Sequence, residues 1–361
     1  PDGIYPFYVR SPIVERSSSY TFNGEGILMA GDGAGAGRIF HHAFGKYAVH
    51  QRVYRLFDFN INSNYLFYYI SNLFPSVMDK GSAQSTVPSV RLPMLQNFEV
   101  CQPPLHEQKK IAEFLDAKCA DIDQIRADIE KQIEILTDYK KSVITEAVTK
   151  GLDPKAKMKD SGIKWIDKIP EHWEIQKGKY VLKYLQKATR EDDGVITCFR
   201  DGEVTLRSNR REDGFTISEK EIGYQGIDVG DLVVHGMDGF AGSIGISDSR
   251  GKASPVLNVL DSSQNKRYLM YYLRSMAYNN VFVALATGIR VRSCDLRWNK
   301  LAELPYPLPP IAEQNQIADY IENTLKQTDE ILTEKQKQLE TLEEYKKSLI
   351  FEYVTGKKEV V

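Results

Sequence analysis

The sequence predicts an α+β protein in which two mixed α/β domains are separated by two long antiparallel coiled-coil helices, arranged as a pseudo-two-fold duplication. Residues 103–150 and 309–356 align without gaps at an offset of 206, and about twenty of the forty-eight positions are identical. Apolar residues recur every three or four positions in both stretches. The segments that precede them alternate strand-like runs with glycine, aspartate and asparagine turns.

The 361 residues are enough for two domains with cores of their own. We predict a first domain over 1–102, a first spacer helix over 103–151, a second domain over 152–308 and a second spacer helix over 309–361. The first domain has 27 residues before Leu28, against about 60 between Pro170 and the matching Leu232. The first domain is therefore expected to be partial at its N-terminal side.

Both long stretches open with two prolines and a Glu-Gln pair, which suit the first turn of a helix with its free N–H groups. Lys150-Gly151 and Thr355-Gly356 are stop signals. The 3–4 spacing predicts a helix-to-helix or partner seam through Ile122, Ile125, Ile129, Leu136, Tyr139, Ile331, Leu342, Tyr345 and Leu349. Gln132, Gln338 and Lys335 fall in the same register, either as solvated flank positions or as polar groups that fix the pairing.

The domains before the helices contain predicted strands and one short helix each. The predicted strands include 26–30, 46–50, 231–235 and 243–247. Tyrosine- and leucine-rich runs at 64–71 and 266–275 predict the short helices, at similar distances before their spacer helix. The domains are thus duplicated too, although their sequences have diverged further than the helices.

Composition and motifs argue against several classes of protein. Hydrophobic content is 42% and charged content 27%, with no apolar run of membrane-spanning length and no signal peptide. The four scattered cysteines indicate reduced thiols and a cytoplasmic location. Neither a P-loop nor an amino-methyltransferase motif is present, and the histidines lack metal-ligand spacing. We expect no catalytic residue, no metal and no cofactor. The glycine-rich run 31–37 lacks dinucleotide-binding spacing and is interpreted as a strand connection, like 236–242.

Charge is unevenly distributed although the whole chain carries only −2. The net charges are +1 for 1–102, +3 for 152–308, −2 for 103–151 and −4 for 309–361. One interpretation is simply a solvated acidic helix surface. The other is that the globular domains alone approach a polyanion.

Basic and amide side chains suggest where such a polyanion binds. Arg290 and Arg292 share a face of a glycine-led segment if it is extended, and the offset of 206 matches them to Gln84 and Thr86. Arginine with guanine and glutamine with adenine are favoured major-groove pairings. A second candidate DNA-binding cluster comprises Lys187, Arg190, Arg207, Arg210 and Arg211. The alternative for both groups is surface ion pairing.

The doubled helix signature resembles the specificity subunit of type I restriction–modification systems. The resemblance rests on Pro103-Pro104-Leu-His-Glu-Gln, on Tyr139-Lys-Lys-Ser and on their second copies. Residues 158–174 also resemble the entry to a second target-recognition domain of that family. The resemblance implies two target-recognition domains that read a bipartite site in double-stranded DNA. It also implies partners, namely two methyltransferase subunits and the restriction subunits. The competing hypothesis is a structural adaptor with two protein-binding heads on a coiled-coil spacer.

Overall fold

The computed structural model describes residues 3–81, 87–210, 221–285 and 296–360. By contacts the chain forms two compact units, which we call unit 1 (Pro1–Gln132 with Glu334–Val361) and unit 2 (Ile133–Thr333). Each unit combines one globular segment with one part of each long helix. The mixture of strands, short helices and two long helices confirms the predicted α+β class.

The described residues of unit 1 form two small sheets. Its strands are β1 (Tyr5–Tyr8), β2 (Glu15–Ser17), β3 (Phe22–Asn23), β4 (Gly26–Ala30), β5 (Phe40–Ala43), β6 (Lys46–Val49) and β7 (Val53–Leu56). The first sheet has the order β2-β1-β6-β3 and the second has the order β5-β4-β7. All five residues of β4 are buried, because this central strand is covered on both faces.

The helices of unit 1 follow its sheets along the chain. They are α1 (Ser63–Leu73), α2 (Pro75–Gly81), α3 (Leu92–Gln96) and the first part of α4 (Leu105–Lys150). Helix α1 starts where the tyrosine-rich run predicts it, with the Asn62 side chain accepting a hydrogen bond from the Tyr65 N–H. Its inner face packs on Ile27 and Met29 of β4, which places the core of this domain between sheet and helix.

Unit 2 is larger and contains several short sheets. Its strands are β8 (Met158–Ile163), β9 (Ile166–Pro170), β10 (Glu174–Lys177), β11 (Lys183–Leu185), β12 (Ile196–Cys198), β13 (Val204–Leu206), β14 (Gln225–Ile227), β15 (Leu232–His235), β16 (Ile244–Ile246), β17 (Gly251–Ala253), β18 (Leu257–Asp261) and β19 (Pro305–Leu308). Its helices are the end of α4, then α5 (Gly178–Val181), α6 (Lys266–Tyr278), α7 (Val281–Ala284), α8 (Trp298–Leu301) and the start of α9 (Ile311–Val354).

The two units share a topology element by element. Strands β1 to β7 of unit 1 correspond in order to β12 to β18 of unit 2. Helices α1 to α3 correspond to α6 to α8. The central strand β4 pairs antiparallel with β5 and β7, just as β15 pairs antiparallel with β16 and β18. The parallel pairing of β1 with β6 recurs as a parallel bridge between Val195 and Lys252. This correspondence establishes the duplication of the globular domains.

The two long helices run antiparallel within each unit. In unit 1 the rings of Phe114 and Tyr353 lie 4.4 Å apart, and Lys346 Nζ lies 2.6 Å from Asp123 Oδ1, so the numbers along α4 rise while those along α9 fall. In unit 2 the end of α4, at Ile144 and Val148, shares a core with the start of α9. Helix α4 ends at Lys150, and Gly151 then has φ +73°, as expected of a left-handed cap.

The glutamine of the Glu-Gln pair ties each long helix to its globular domain. Gln108 accepts a hydrogen bond from the Asn62 N–H at 2.8 Å and donates one to the Pro103 carbonyl at 2.7 Å. Gln314 makes the same two bonds, to the Asn265 N–H and the Pro309 carbonyl. Sequence reasoning placed this residue type in the first turn for its fit to free helix N–H groups. Instead, its side chain satisfies backbone groups of the domain.

The predicted seam is only partly buried. Ile122, Ile129 and Leu349 are buried, and Leu136 and Leu342 are half-buried. Ile125, Tyr139, Ile331 and Tyr345 remain about half exposed, so they lie on the flanks of the helix pair instead of between the helices. Two helices bury only a narrow stripe, which is narrower than the apolar pattern of this sequence. Gln132 and Gln338 are exposed, as expected of solvated flank positions.

Candidate nucleic-acid interface

A glycine-rich loop follows the central strand of each unit and holds an aspartate beside an arginine. In unit 1, Arg10 lies two residues after β1, and its Nη1 donates to Asp32 Oδ1 at 2.6 Å. In unit 2, Arg200 lies two residues after β12, and its Nη2 donates to Asp238 Oδ1 at 3.1 Å. Asp32 and Asp238 are related by the offset of 206. We call these two contacts the Arg–Asp pairs.

The glycines let the loop approach the strand that carries the arginine. Gly242 has φ +97°, and a Cβ there would lie 2.6 Å from the Arg200 carbonyl oxygen. In unit 1 a Cβ on Gly35 would lie 3.1 Å from the Arg10 carbonyl oxygen, and Gly37, with φ +65°, lies close to Met78 of α2. Only glycine adopts such a conformation without strain in so little space. Both loops connect neighbouring antiparallel strands, which confirms the predicted strand connections.

The Arg–Asp pairs keep their charges near the surface. The Arg10 side chain is 46% exposed and that of Arg200 is 66% exposed. The hydrogen bond from Arg10 lowers the pKa of Asp32 below its ordinary value, so this carboxylate stays ionised. Exposed ion pairs contribute little to stability, so these guanidinium groups can exchange their carboxylate for another anion at small cost.

Unit 2 has a concavity of about 590 Å³ next to its Arg–Asp pair, lined by basic, aromatic and polar side chains. Arg200, Arg207 and Arg210 all contribute to its lining. Arg210 stacks over the Phe199 ring at 4.3 Å and forms ion pairs with Asp201 at 2.5 Å and Glu203 at 3.1 Å. The Asp201 contact raises the pKa of Arg210. This surface combines fixed guanidinium groups with an aromatic face.

The floor of this concavity carries neutral polar groups. His235 ends β15, and burial lowers its pKa, so the ring is uncharged near pH 7. Its Nδ1 accepts hydrogen bonds from the N–H groups of Asp238 at 2.9 Å and Met237 at 3.2 Å. The buried Ser243 hydroxyl has no hydrogen-bond partner among the described residues. The Ser243 hydroxyl is therefore available to form a hydrogen bond with a donor or acceptor group of a ligand.

Lys187, predicted to bind DNA, lies inside an ion-pair network of unit 2. Its Nζ is 2.7 Å from Asp228 Oδ2 and 2.6 Å from Asp231 Oδ2. Burial disfavours the charged amine, but the two carboxylates outweigh it and raise the pKa of Lys187. Arg250 completes the network with a two-pronged contact to Asp193 and a bond to Asp228. The Lys187 charge is thus engaged in ion pairs within unit 2.

The other predicted DNA-binding residues have varied positions. Arg190 is exposed, and its backbone N–H donates to Asp193 Oδ2. Arg207 is half-buried, with its Nε 3.4 Å from Thr197 Oγ1. Five residues lie outside the described part of the chain, namely Gln84, Thr86, Arg211, Arg290 and Arg292.

Leu296 and Val90 come shortly after the two parts of the chain, 286–295 and 82–86, that contain four of these five residues. Each of them forms a backbone hydrogen bond with a glycine-rich loop. The N–H of Leu296 donates to the Gly236 carbonyl at 2.8 Å, and that of Val90 donates to the Gly31 carbonyl at 2.8 Å. Leu296 and Val90 therefore lie beside the loops that carry Asp238 and Asp32 of the Arg–Asp pairs. Sequence reasoning missed these pairs. Two features of the sequence could have revealed them. Asp32 and Asp238 match at the offset of 206, and in each unit an arginine comes soon after a strand-like run.

No group of three or more histidine, cysteine, aspartate or glutamate side chains in the described ranges is placed to hold a metal ion. Among the described helices, none is long and apolar enough to cross a membrane.

Comparisons with known proteins point to one family. A family model of the type I restriction modification DNA specificity domain matches residues 1–135 and 173–341. The EcoDI type I restriction enzyme specificity subunit of Escherichia coli is 23% identical over 355 residues, covering 91% of this chain and 77% of the relative. The MjaVIII specificity subunit of Methanocaldococcus jannaschii is 27% identical over 385 residues, covering 99% and 86%.

Solved structures share the fold at low sequence identity. A structure from work on complex assembly and conformational transition of a type I restriction–modification system is similar, with a TM-score of 0.67 and 13% identity. The similarity covers 95% of this chain and 85% of that one. The HsdS subunit of Thermoanaerobacter tengcongensis matches with a TM-score of 0.52 and 13% identity, covering 93% and 82%.

Proposed function

The chain belongs to the type I restriction modification DNA specificity family, and we propose that it is the DNA sequence-specificity subunit of such a system. Unit 1 and unit 2 each act as a target-recognition domain that reads one half of a bipartite site. The observation that carries this proposal is the repetition of one Arg–Asp pair, on one topology, in both family-matched parts of the chain.

The proposed contact surface includes the Arg–Asp pair of each unit, and the predicted base-reading residues are proposed to bind the same DNA. In unit 2 the proposed DNA-binding residues are Arg200, Arg207 and Arg210, which line the concavity, and Arg290 and Arg292 as base-reading residues. In unit 1 they are Arg10, Gln84 and Thr86. Guanidinium groups bind guanine edges or phosphate oxygens in a two-pronged way, and a phosphate can take the place of the paired carboxylate. Arg91 and Arg297 match at the offset of 206. Because they do not differ between the units, they suit contacts with the DNA phosphates better than readout of bases.

The long helices have a proposed role in spacing and assembly. An antiparallel pair of fixed length sets the distance between two reading domains, as dimer geometry does for symmetric DNA-binding proteins. Its half-exposed apolar residues, such as Ile125 and Tyr345, are a proposed contact for methyltransferase subunits, two per chain, with restriction subunits joining the complex. We place the complex in the cytoplasm, in keeping with the free cysteine thiols of the described residues.

Salt-dependent binding by the assembled complex tests the proposal against the adaptor alternative. A DNA-reading subunit gives affinity for duplex DNA that falls steeply with salt and prefers one bipartite sequence. A protein-binding adaptor gives neither. Arg290→Ala is expected to cost about 1–3 kcal/mol at one base if Arg290 reads guanine. If it contacts only phosphate, binding weakens for every duplex and the salt slope falls by about one.

The chain itself is proposed to be non-catalytic. Purified chain with S-adenosylmethionine should leave duplex DNA unmethylated, whereas the complex with a methyltransferase subunit should methylate it. Methylation by the purified chain alone would remove this part of the proposal.

A further inference from the structure

His235 presents one hydrogen-bond donor in a position that the glycine-rich loop of unit 2 fixes. Its Nδ1 accepts hydrogen bonds from the N–H groups of Met237 at 3.2 Å and Asp238 at 2.9 Å. A ring nitrogen that accepts hydrogen bonds carries no proton, so the proton of the neutral imidazole is on Nε2. Burial lowers the pKa of His235, which favours this neutral form. The side chain therefore has one donor, the Nε2–H group, that the loop does not use.

A hydrogen-bond acceptor lies next to this donor. Asp238 Oδ2 is 4.0 Å from His235 Nε2, which is too far for a hydrogen bond between the two groups. The other carboxylate oxygen, Oδ1, accepts from Arg200 Nη2, and the Asp238 carbonyl accepts from the Ala241 N–H at 2.9 Å. These contacts hold the aspartate in place. Among the described residues neither His235 Nε2 nor Asp238 Oδ2 has a hydrogen-bond partner, so the two form an unoccupied donor–acceptor pair.

The donor–acceptor pair can be reached by a ligand. His235, Asp238 and Arg200 all line the concavity of about 590 Å³, and the side chains of the first two are 19% and 39% exposed. The lining is mixed in charge, because acidic side chains such as Asp201 pair with Arg210. A phosphate group would face the Asp238 carboxylate here and suits the pair poorly. The edge of a nucleotide base offers donors and acceptors side by side and suits it well.

The matching positions of unit 1 hold different groups. The offset of 206 relates His235 to Met29, which is fully buried and has no N–H group in its side chain. The aspartate of the Arg–Asp pair in unit 1, Asp32, accepts from Arg10 at Oδ1 and from Arg52 at Oδ2. The Arg–Asp pair is thus shared by both units, whereas at these positions the donor–acceptor pair belongs to unit 2. A group that distinguishes one half-site from the other is expected to differ in this way.

We propose that His235 and Asp238 read an adenine in the half-site of unit 2, an inference that rests on the proposed function as a DNA-reading subunit. In the major groove, adenine presents its N7 acceptor beside its N6 amino donor. The N7 atom accepts a hydrogen bond from His235 Nε2, and the amino group donates one to Asp238 Oδ2. The contact with Arg200 keeps the carboxylate turned so that Oδ2 remains available.

The same pair disfavours the other three bases. Guanine presents acceptors at both N7 and O6, so its O6 atom would face the Asp238 carboxylate, which has no proton to donate. Cytosine offers only the N4 amino donor and leaves His235 Nε2 without an acceptor. Thymine offers the O4 acceptor but no donor for Asp238. A good two-point contact of this kind discriminates between bases by about tenfold to a hundredfold in affinity.

Selection of preferred duplexes from a randomised pool by the assembled complex tests the proposal. One half of the bipartite motif should contain a position at which adenine is favoured over guanine by about tenfold or more. In Asp238→Asn the amide N–H can donate to guanine O6, so the discrimination against guanine should be lost at that position, and the other half of the motif should not change. Asp248→Asn, the same replacement at an exposed aspartate outside the concavity, should leave the whole motif unchanged.

Modified duplexes assign the contact to single atoms. An adenine analogue with carbon in place of N7, and another without the amino group, should each weaken binding to the unmodified complex by about threefold to tenfold at the selected position. His235→Asn keeps an acceptor for the loop N–H groups but lacks the Nε2 donor. In this variant the analogue without N7 should cause no further loss, whereas the analogue without the amino group should still weaken binding.

Three results would overturn the proposal, and they separate it from the proposed function. Equal binding of adenine and both analogues by the unmodified complex would show that neither atom is read, while sequence-specific binding would still stand. Undiminished discrimination against guanine in Asp238→Asn would do the same. A complex without any preferred duplex would overturn the proposed function, and this proposal with it.

Discussion

Unit 1 and unit 2 hold seven corresponding strands in matching pairings, and in the described residues of unit 2 a tryptophan packs at the junction of the long helices, where Trp173 Nε1 donates to Glu313 Oε1. The residues that the two units share, Gln108 with Gln314 and Tyr65 with Tyr268, join the long helices to the domains. The comparison indicates that the repeated residues determine how each domain is joined to the long helices. The diverged residues determine which side chains each unit exposes to a ligand or partner.

The largest expected effect tests whether Trp173 stabilises unit 2 and leaves the stability of unit 1 unchanged. Trp173→Ala removes a fully buried side chain and should lower the free energy of unfolding of unit 2 by about 3–5 kcal/mol. All three tryptophans, at 165, 173 and 298, belong to unit 2, so the remaining two report its urea unfolding by fluorescence. Amide exchange in unit 1 should not change. Replacement of the exposed Tyr180 by alanine is the control, and equal destabilisation of both units would contradict the comparison.

A smaller effect tests whether the two junctions are equivalent. Gln108→Ala and Gln314→Ala each leave a part-buried backbone N–H and a carbonyl without their side-chain partner, which costs about 1–3 kcal/mol. Hydrogen exchange should show similar losses of protection, at α1 for the first variant and at α6 for the second. The neighbouring exposed residues Lys109 and Gln316 are controls as alanine variants. A loss confined to one unit would show that the repeated glutamine has different roles.

The smallest effect concerns the ion network of unit 2. Hydrogen bonds from Lys187 and Arg250 lower the pKa of Asp228 to about 2. Because this pKa is depressed on folding, the charged Asp228 contributes stability above its ordinary pKa near 4, and the contribution is lost as pH falls towards 2. The side chain is 44% exposed, so solvent screening keeps the effect small. Urea unfolding followed by tryptophan fluorescence at pH 4 and pH 2 measures it.

Asp228→Asn should reduce the loss of unit 2 stability between pH 4 and pH 2. The exposed Asp248, replaced in the same way, serves as the control. An undiminished loss in Asp228→Asn would assign the acid sensitivity to other carboxylates, such as Asp193, whose pKa the Arg250 contact also lowers.

The sequence was sufficient to predict helices and strands that have a local pattern of residues or that occur twice along the chain. The long helices follow from their periodicity, the central strands 26–30 and 232–235 from short apolar runs, and α1 and α6 from segments rich in tyrosine and leucine. The Arg–Asp pairs could not be predicted in this way, because each joins residues 22 or 38 positions apart through strand packing. Which seam residues lie between the two helices could not be predicted, since the pattern does not distinguish a contact stripe from an exposed apolar flank that is open to a partner. Lys187 looked like a free surface charge because its acidic partners lie about 40 residues away in sequence.

The central claim is that each unit reads its own half of one DNA site through its Arg–Asp pair. The most direct measurement is selection of preferred duplexes from a randomised pool by the assembled complex carrying Arg10→Ala or Arg200→Ala. Lys177→Ala, which breaks an exposed ion pair with Glu303, is the matched control. Each arginine variant should relax base preference in only one half of a bipartite motif, a different half for each, by about 1–3 kcal/mol at the affected base. Relaxation of the same half by both variants, or unchanged preference in both, would contradict the account.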